Sequence, residues 1–391
     1  MWRPSVLTPS GLEHIANHKY KAGKYTPLDN LLNPWWLRMS EALPIWFAPN
    51  LVTLLGFAPL LVTYVLVWFS SPDCSTPPSR ALAAVTSVAL WFYQTMDALD
   101  GKQARRTGSS SPLGQLFDHG CDCLATVSQH SAVYSVLCTG SSPWTFAGLS
   151  AVQTGFFMAQ WQEYYTGVLR TSFGPVGVTE TQYVVMAIAL TGFLAGPEVV
   201  QAFSQGPSAF QLPWLSAPNE PFGVVFSQGW VMFVVFMVVI CFVKTIGHII
   251  EEKGVKGVAP AMKDLLPITV MNVLIPLWNP AMQLRAPRLL ILLNGLIFFY
   301  LTAQMILFSM ARMPFPAVQL LILPYAALVR RSWTLEPDVM YTLLLVYTLA
   351  IACWILLWLS AVIEELKARL GIYAFSLAKP SLRQEKKKKS N

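Results

Sequence analysis

This sequence predicts an all-α, polytopic membrane protein with about ten transmembrane helices and an N-terminal interfacial amphipathic helix. Three observations carry that expectation. Apolar runs of about 20 residues, the length that crosses a bilayer, recur along most of the chain. Charged residues are only 12% of its 391 residues, where soluble domains carry about 25%. The 14 Trp and 13 Tyr suit interfacial belts, where a ring sits in apolar surroundings with one edge in water.

Residues 1–50 are polar to amphipathic. The stretch "LDNLLNPWWLRMSEALPIWFAPN" alternates apolar anchors with Arg38 and Glu41 and holds Trp35, Trp36 and Trp46, which reads as a helix lying on the membrane. Hydropathy then places spans near 51–69, 81–100, 114–138, 143–164, 178–196, 226–248, 264–278, 288–311, 315–331 and 339–364. The seventh and ninth contain prolines and are the weakest by pattern. An even number of spans puts both termini on one side. Loops on that side carry Lys102, Arg105, Arg106, Arg170, Lys253, Lys256 and Lys263, so the positive-inside rule makes it cytosolic; Arg285, Arg288, Arg330 and Arg331 oppose this. The Pro- and Gly-rich segment 197–223 reads as a long loop on the other side.

Several function classes recede on composition. The net charge of +7 is concentrated in "HKYKAGKY" and the tail "QEKKKKSN", which beside a bilayer suit anionic lipid. No nucleic-acid motif, no internal repeat and no CxxC pair is visible, and the six cysteines mostly sit in apolar runs as packing residues. The N-terminus lacks the apolar core of a cleaved signal, so the first span is expected to serve as the signal.

Charge returns in force at residues 97–122, "DALDGKQARRTGSSSPLGQLFDHGCD", between two apolar runs. At ~100° per residue, Asp97, Asp100, Gly101 and Ala104 share one helix stripe. Asp118 and Asp122, with Gly114 a turn earlier, make a second acidic face. The short "RRTGSSSP" connection makes the two helices antiparallel neighbours, so four carboxylates can converge. Such a cluster in a bilayer is costly unless the groups are protonated or hold cations. Oxygen donors select Mg²⁺, Mn²⁺ or Ca²⁺ over zinc. Two such ions are a known device for in-line attack at phosphorus, and Lys102 and Arg105 at the edge suit phosphate oxygens. Solvated charges on a cytosolic hairpin, or the ion path of a cation-coupled transporter, are the alternatives by spacing alone.

The stretch resembles the signature D-x2-D-G-x2-A-R-x8-G-x3-D-x3-D of the CDP-alcohol phosphotransferase family, met at Asp97, Asp100, Gly101, Ala104, Arg105, Gly114, Asp118 and Asp122. "APN" at 48–50, "LFDHGCD" and "GVTETQ" at 177–182 are similar to its eukaryotic choline/ethanolamine phosphotransferase branch. The resemblance implies an enzyme that transfers phosphocholine or phosphoethanolamine from CDP-choline or CDP-ethanolamine to diacylglycerol, releasing CMP. It implies two Mg²⁺ or Mn²⁺ ions on Asp97, Asp100, Asp118 and Asp122. Gly101, Ala104 and Gly114 would face the CDP-alcohol, Arg105 would hold phosphate, and Asn50 would contact the nucleotide. His119 is the implied base for the diacylglycerol hydroxyl, with Asp122 as its competitor. Relatives carry a glutamate where this chain has Gln115, so Gln115 is expected to tune that base without supplying charge.

Further expectations follow. Glu163 in "WQEYYTG" is a candidate for supporting the site or touching choline, with Tyr93, Trp161 and Tyr164 as candidate aromatics around a quaternary nitrogen. His14, His18, His130 and His248 read as structural. The domain reading is 1–50 cytosolic and interfacial, 51–250 catalytic, 251–366 additional helices for a homodimer, and 367–391 a basic cytosolic tail. "KKSN" resembles a dilysine retrieval signal, implying the endoplasmic reticulum or Golgi with the active site facing the cytosol. The rivals are another CDP-alcohol phosphatidyltransferase, a transporter, or an inactive relative.

Overall fold

The computed structural model describes residues 6–205, 210–211, 223–224 and 226–377. Prolines mark where many helices begin. Pro9, Pro27, Pro49, Pro112, Pro143, Pro280, Pro287 and Pro337 each open one, a position where the missing N–H costs nothing and the ring's φ is already helical. Thr8, Thr26, Ser111, Ser142 and Asn279 precede five of them and accept a backbone N–H as N-caps.

The helices are α1 (Pro9–Ala16), α2 (Pro27–Ala42), α3 (Pro49–Ser70), α4 (Arg80–Arg106), α5 (Pro112–Val136), α6 (Pro143–Thr166), α7 (Val178–Leu194), α8 (Pro197–Gln205) and α9 (Phe226–Lys253). They continue as α10 (Val258–Asp264), α11 (Leu266–Leu274), α12 (Pro280–Arg285), α13 (Pro287–Ala311), α14 (Ile322–Arg331) and α15 (Pro337–Leu370). Among the described residues the strands are two residues long: Ser172–Phe173 pairs antiparallel with Val176–Gly177, and Phe210–Gln211 with Gly223–Val224.

Among the described residues, four helices are long and apolar enough to cross a membrane: α3, α9, α13 and α15. A fifth span results if Val255–Asp264 and Leu266–Leu277, bent by 40°, count as one. Helices α4, α5 and α6, at 27, 25 and 24 residues, have the length but carry more polar side chains. The expected 315–331 span is helical only over the ten residues of α14, which at 1.5 Å per residue covers about half of a ~30 Å hydrocarbon layer. Part of the expected loop at 197–223 is the helix α8, and the basic tail with "KKSN" lies outside the described residues.

Helix α13 forms the centre. Of its apolar window 89% is buried, against 17% for α9 and 28% for α15, so α13 is a core helix while the other two present apolar surface outward. It packs on α5, α6, α11, α15 and α1. Helices α4 and α5 touch each other only lightly, because α3 packs along both. Gly56 permits this: a Cβ there would stand 2.5 Å from the Cβ of Met96 on α4. Two of the four arginines that oppose the charge rule have local partners. Arg285 pairs with Asp338. Arg288 is buried and donates to the Ser71 carbonyl, to Ser131 and to the Ser135 hydroxyl, tying α13 to the end of α3 and to α5.

Candidate active site

The acidic stripe emerges where α4 reaches its C-terminal turns, and α3 and α5 supply the facing walls. Carboxylate oxygens of Asp97, Asp100 and Asp118 all lie within 4.8 Å of one another. Asp100 is buried, and Thr53, one turn beyond Asn50 on α3, donates its hydroxyl to Asp100 Oδ2 at 2.5 Å. Asp122 lies outside that threesome, alongside Asp97, with the Tyr93 hydroxyl donating to its Oδ1 at 2.6 Å.

These donors suit a divalent ion. All are carboxylate oxygens, the choice of hard cations. Among the described residues no Lys or Arg forms an ion pair with any of the four aspartates. Asp118 Oδ1 is buried without a hydrogen-bond partner, a costly arrangement that a cation relieves.

A cavity of about 540 Å³ opens over the cluster, within the range of small-molecule sites. Asn50, Gly101, Ala104, Arg105, Gly114, Gln115, Asp118 and His119 all line it. His119 is buried, with Nε2 3.9 Å from Asp118 Oδ2 and Nδ1 without a partner. The Tyr20 ring meets His119 edge-on at 5.8 Å between centroids, and Gln160 of α6 stands beside the imidazole.

Several expectations need correction. Gln115 does not turn toward His119. Its Nε2 donates to Glu163 Oε1 at 2.9 Å, and its Oε1 lies 2.9 Å from His18 Nε2. Lys102 does not line this cavity. Its ammonium sits over the rings of Trp36 and Tyr25, at 5.0 and 5.7 Å, and lines a neighbouring cavity with Arg105 and Arg106. The candidate aromatics are engaged elsewhere: Tyr93 on Asp122, Trp161 on the Ala261 carbonyl and Tyr164 on the Met313 carbonyl. Tyr20 and Tyr373 are the aromatic residues that line the cavity among those described. His18, read as structural, lines it too. Burial lowers its pKa below the ordinary imidazole value; the Gln115 hydrogen bond opposes this and the Arg312 charge adds to it.

The segment that follows α15 also reaches the site. Gly371 closes α15 at φ 60°, a left-handed turn that suits glycine. The chain then runs along the cavity, which residues 371–374, 376 and 377 line. Asn50 Nδ2 donates to the Ala374 carbonyl at 2.8 Å, and Phe375 packs edge-on against Phe117 at 5.4 Å. Nothing in the composition of 371–377 announces this, since it depends on where α15 ends.

Residues 46–210 match the family described as CDP-alcohol phosphatidyltransferase. The chain is 31% identical to choline/ethanolaminephosphotransferase 2 of Arabidopsis thaliana over 94% of its own length and 97% of that protein's. It is 30% identical to choline/ethanolaminephosphotransferase 1 of the same plant, over 93% and 97%. Against cholinephosphotransferase 1 of Gallus gallus it is 37% identical over 50% of this chain and 58% of the relative. An acidic cluster at the foot of a ligand-sized cavity, and likeness to two enzymes over nearly their whole length, agree: the chain belongs to the CDP-alcohol phosphatidyltransferase family.

Proposed function

We propose that the protein transfers phosphocholine or phosphoethanolamine from a CDP-alcohol to diacylglycerol, giving phosphatidylcholine or phosphatidylethanolamine and CMP. The observation that carries this is the convergence of Asp97, Asp100 and Asp118 beneath a cavity lined by the family's motif residues.

In this reading Asp97, Asp100, Asp118 and Asp122 hold two divalent ions, Mg²⁺ or Mn²⁺. Such ions, when bound, neutralise the pyrophosphate and polarise the β-phosphorus. Arg105 holds phosphate, Gly101, Ala104 and Gly114 admit the nucleotide against the backbone, and Asn50 contacts it. His119 takes the proton from the diacylglycerol hydroxyl. That oxygen bonds to the β-phosphorus, the bond from the β-phosphorus to the bridging oxygen breaks, and CMP leaves with the electron pair. Tyr93 and Thr53 fix the orientation of Asp122 and Asp100.

The setting belongs to the same proposal. The chain crosses the membrane about ten times, with 51–250 catalytic, 251–366 additional helices that pair two copies, and 367–391 a cytosolic tail. The ninth crossing combines α14 with the non-helical 312–321 segment. Gln319 in that segment donates to Gln304 Oε1 of α13 at 2.9 Å, and irregular backbone is tolerated in a membrane when protein covers it. Helix α2 lies at the interface, with both termini and the cavity mouth facing the cytosol of the endoplasmic reticulum or Golgi. The test is direct: purified protein, radiolabelled CDP-choline or CDP-ethanolamine, diacylglycerol and Mg²⁺ should yield labelled phospholipid. No product with either donor would sink the reading.

A further inference from the structure

Three side chains from separate parts of the fold form one hydrogen-bonded chain: His18 after α1, Gln115 on α5 and Glu163 on α6. Glu163 is 3% exposed. Its Oε1 accepts from Gln115 Nε2 at 2.9 Å, while Oε2 is buried with no partner. No Lys, Arg or His forms an ion pair with it among the described residues. The site therefore holds a buried carboxyl group without a counter-ion, whose ionised form a nearby cation would stabilise.

Donor and acceptor bookkeeping carries this to the cavity. The Gln115 NH₂ donates to Glu163, so the Gln115 carbonyl faces His18. That carbonyl can only accept, so His18 Nε2 carries the hydrogen at their 2.9 Å contact. In the neutral ring the lone pair then sits on Nδ1, which takes no hydrogen bond from any described residue. His18 lines the cavity, as does Tyr20, which is 46% exposed. The wall thus offers an acceptor nitrogen, a ring face and a carboxyl group one amide behind that a cation would hold ionised, a combination that suits a positively charged ligand.

We propose that His18, Gln115 and Glu163, with Tyr20, form the recognition site for the cationic head of the CDP-alcohol, and that His18 favours a head bearing N–H donors. This rests on the phosphotransferase reading above. A primary ammonium donates a hydrogen bond to His18 Nδ1; a quaternary ammonium has no N–H and relies on the Tyr20 ring and the field of Glu163. Glu163 does not line the cavity, and so acts as a positioning residue: it fixes the Gln115 amide, and through it the tautomer of His18.

The experiment compares kcat/KM for CDP-ethanolamine and CDP-choline on the purified full-length protein. His18→Ala should lower the ethanolamine-to-choline ratio about tenfold, the weight of one charge-assisted hydrogen bond. Tyr20→Leu should move the ratio the other way. Glu163→Gln preserves the hydrogen bond but removes the charge, so KM should rise severalfold for both donors while kcat changes less; Glu163→Asp should recover part of the loss. If His18→Ala does not fold, His18→Leu, which fills the space without an acceptor, should give the same direction of change. An unchanged ratio in an active His18 variant overturns the proposal. So does a Glu163→Gln variant whose kcat falls at constant KM, the mark of a merely structural role. Wild-type protein inert toward both donors overturns the underlying reading and the proposal with it.

Discussion

At the scale of single residues, the four aspartates differ in what supports them. Asp118 has a buried oxygen with no partner, so Asp118→Asn should cut product formation at least about 100-fold. If the Asp118→Asn variant kept most of its activity, the aspartates would not be the metal site. Asp122 depends on Tyr93, whose hydroxyl donates to it at 2.6 Å. Tyr93→Phe should therefore raise the Mg²⁺ concentration for half-maximal activity about tenfold and leave the saturated rate closer to wild type. His18 adds a pH expectation. Burial favours its neutral form and holds its pKa below 6.5, and the neutral ring is the one that accepts from an ammonium. Lys19, Tyr20 and Arg312 lie nearby, with Glu163 behind Gln115. A preference for CDP-ethanolamine should hold as the pH falls to 6.5 and fade only in more acid buffer, measured as the ratio of the two rates.

At the scale of elements, the site depends on how closely α3 approaches α4. Thr53 reaches Asp100 because Gly56, one turn away, leaves no side chain between the helices. Gly56→Val should push Met96 aside at a cost of about 1–3 kcal/mol, visible as a lower thermal midpoint together with reduced activity. A variant as stable and active as wild type would show that the approach is not needed. Arg288 performs a comparable task at the other end of α5, donating to α3 and α5 from α13. Arg288→Met should destabilise the fold without changing the KM for CDP-alcohol, because none of its partners lines the cavity.

At the scale of the whole molecule, residues 6–7 close on α15, and the segment that follows α15 closes on the cavity. The backbone N–H groups of Val6 and Leu7 donate to Glu365 of α15, and residues 372–377 lie along the cavity. Asn50 spends one of its two amide N–H groups on the Ala374 carbonyl, so releasing that contact frees a second donor for the nucleotide. Removing residues 372–391 should lower the KM for CDP-alcohol a few-fold, about the worth of one neutral hydrogen bond; a higher KM would mean that the segment helps to bind the nucleotide. The sequence by itself determined the membrane class, most helix positions and the acidic stretch whose Asp97, Asp100 and Asp118 come together. Hydropathy, N-terminal prolines and i, i+3/i, i+4 spacing are local, and local signals survive without knowledge of what packs where. Only the tertiary structure decided that Gln115 serves His18 and Glu163 rather than His119, that Lys102 lies against Trp36, that α13 is a core helix, and that the end of α15 lines the cavity. Each of these joins residues far apart in the chain, and a partner's distance and direction are set by helix packing, which no single run of residues encodes.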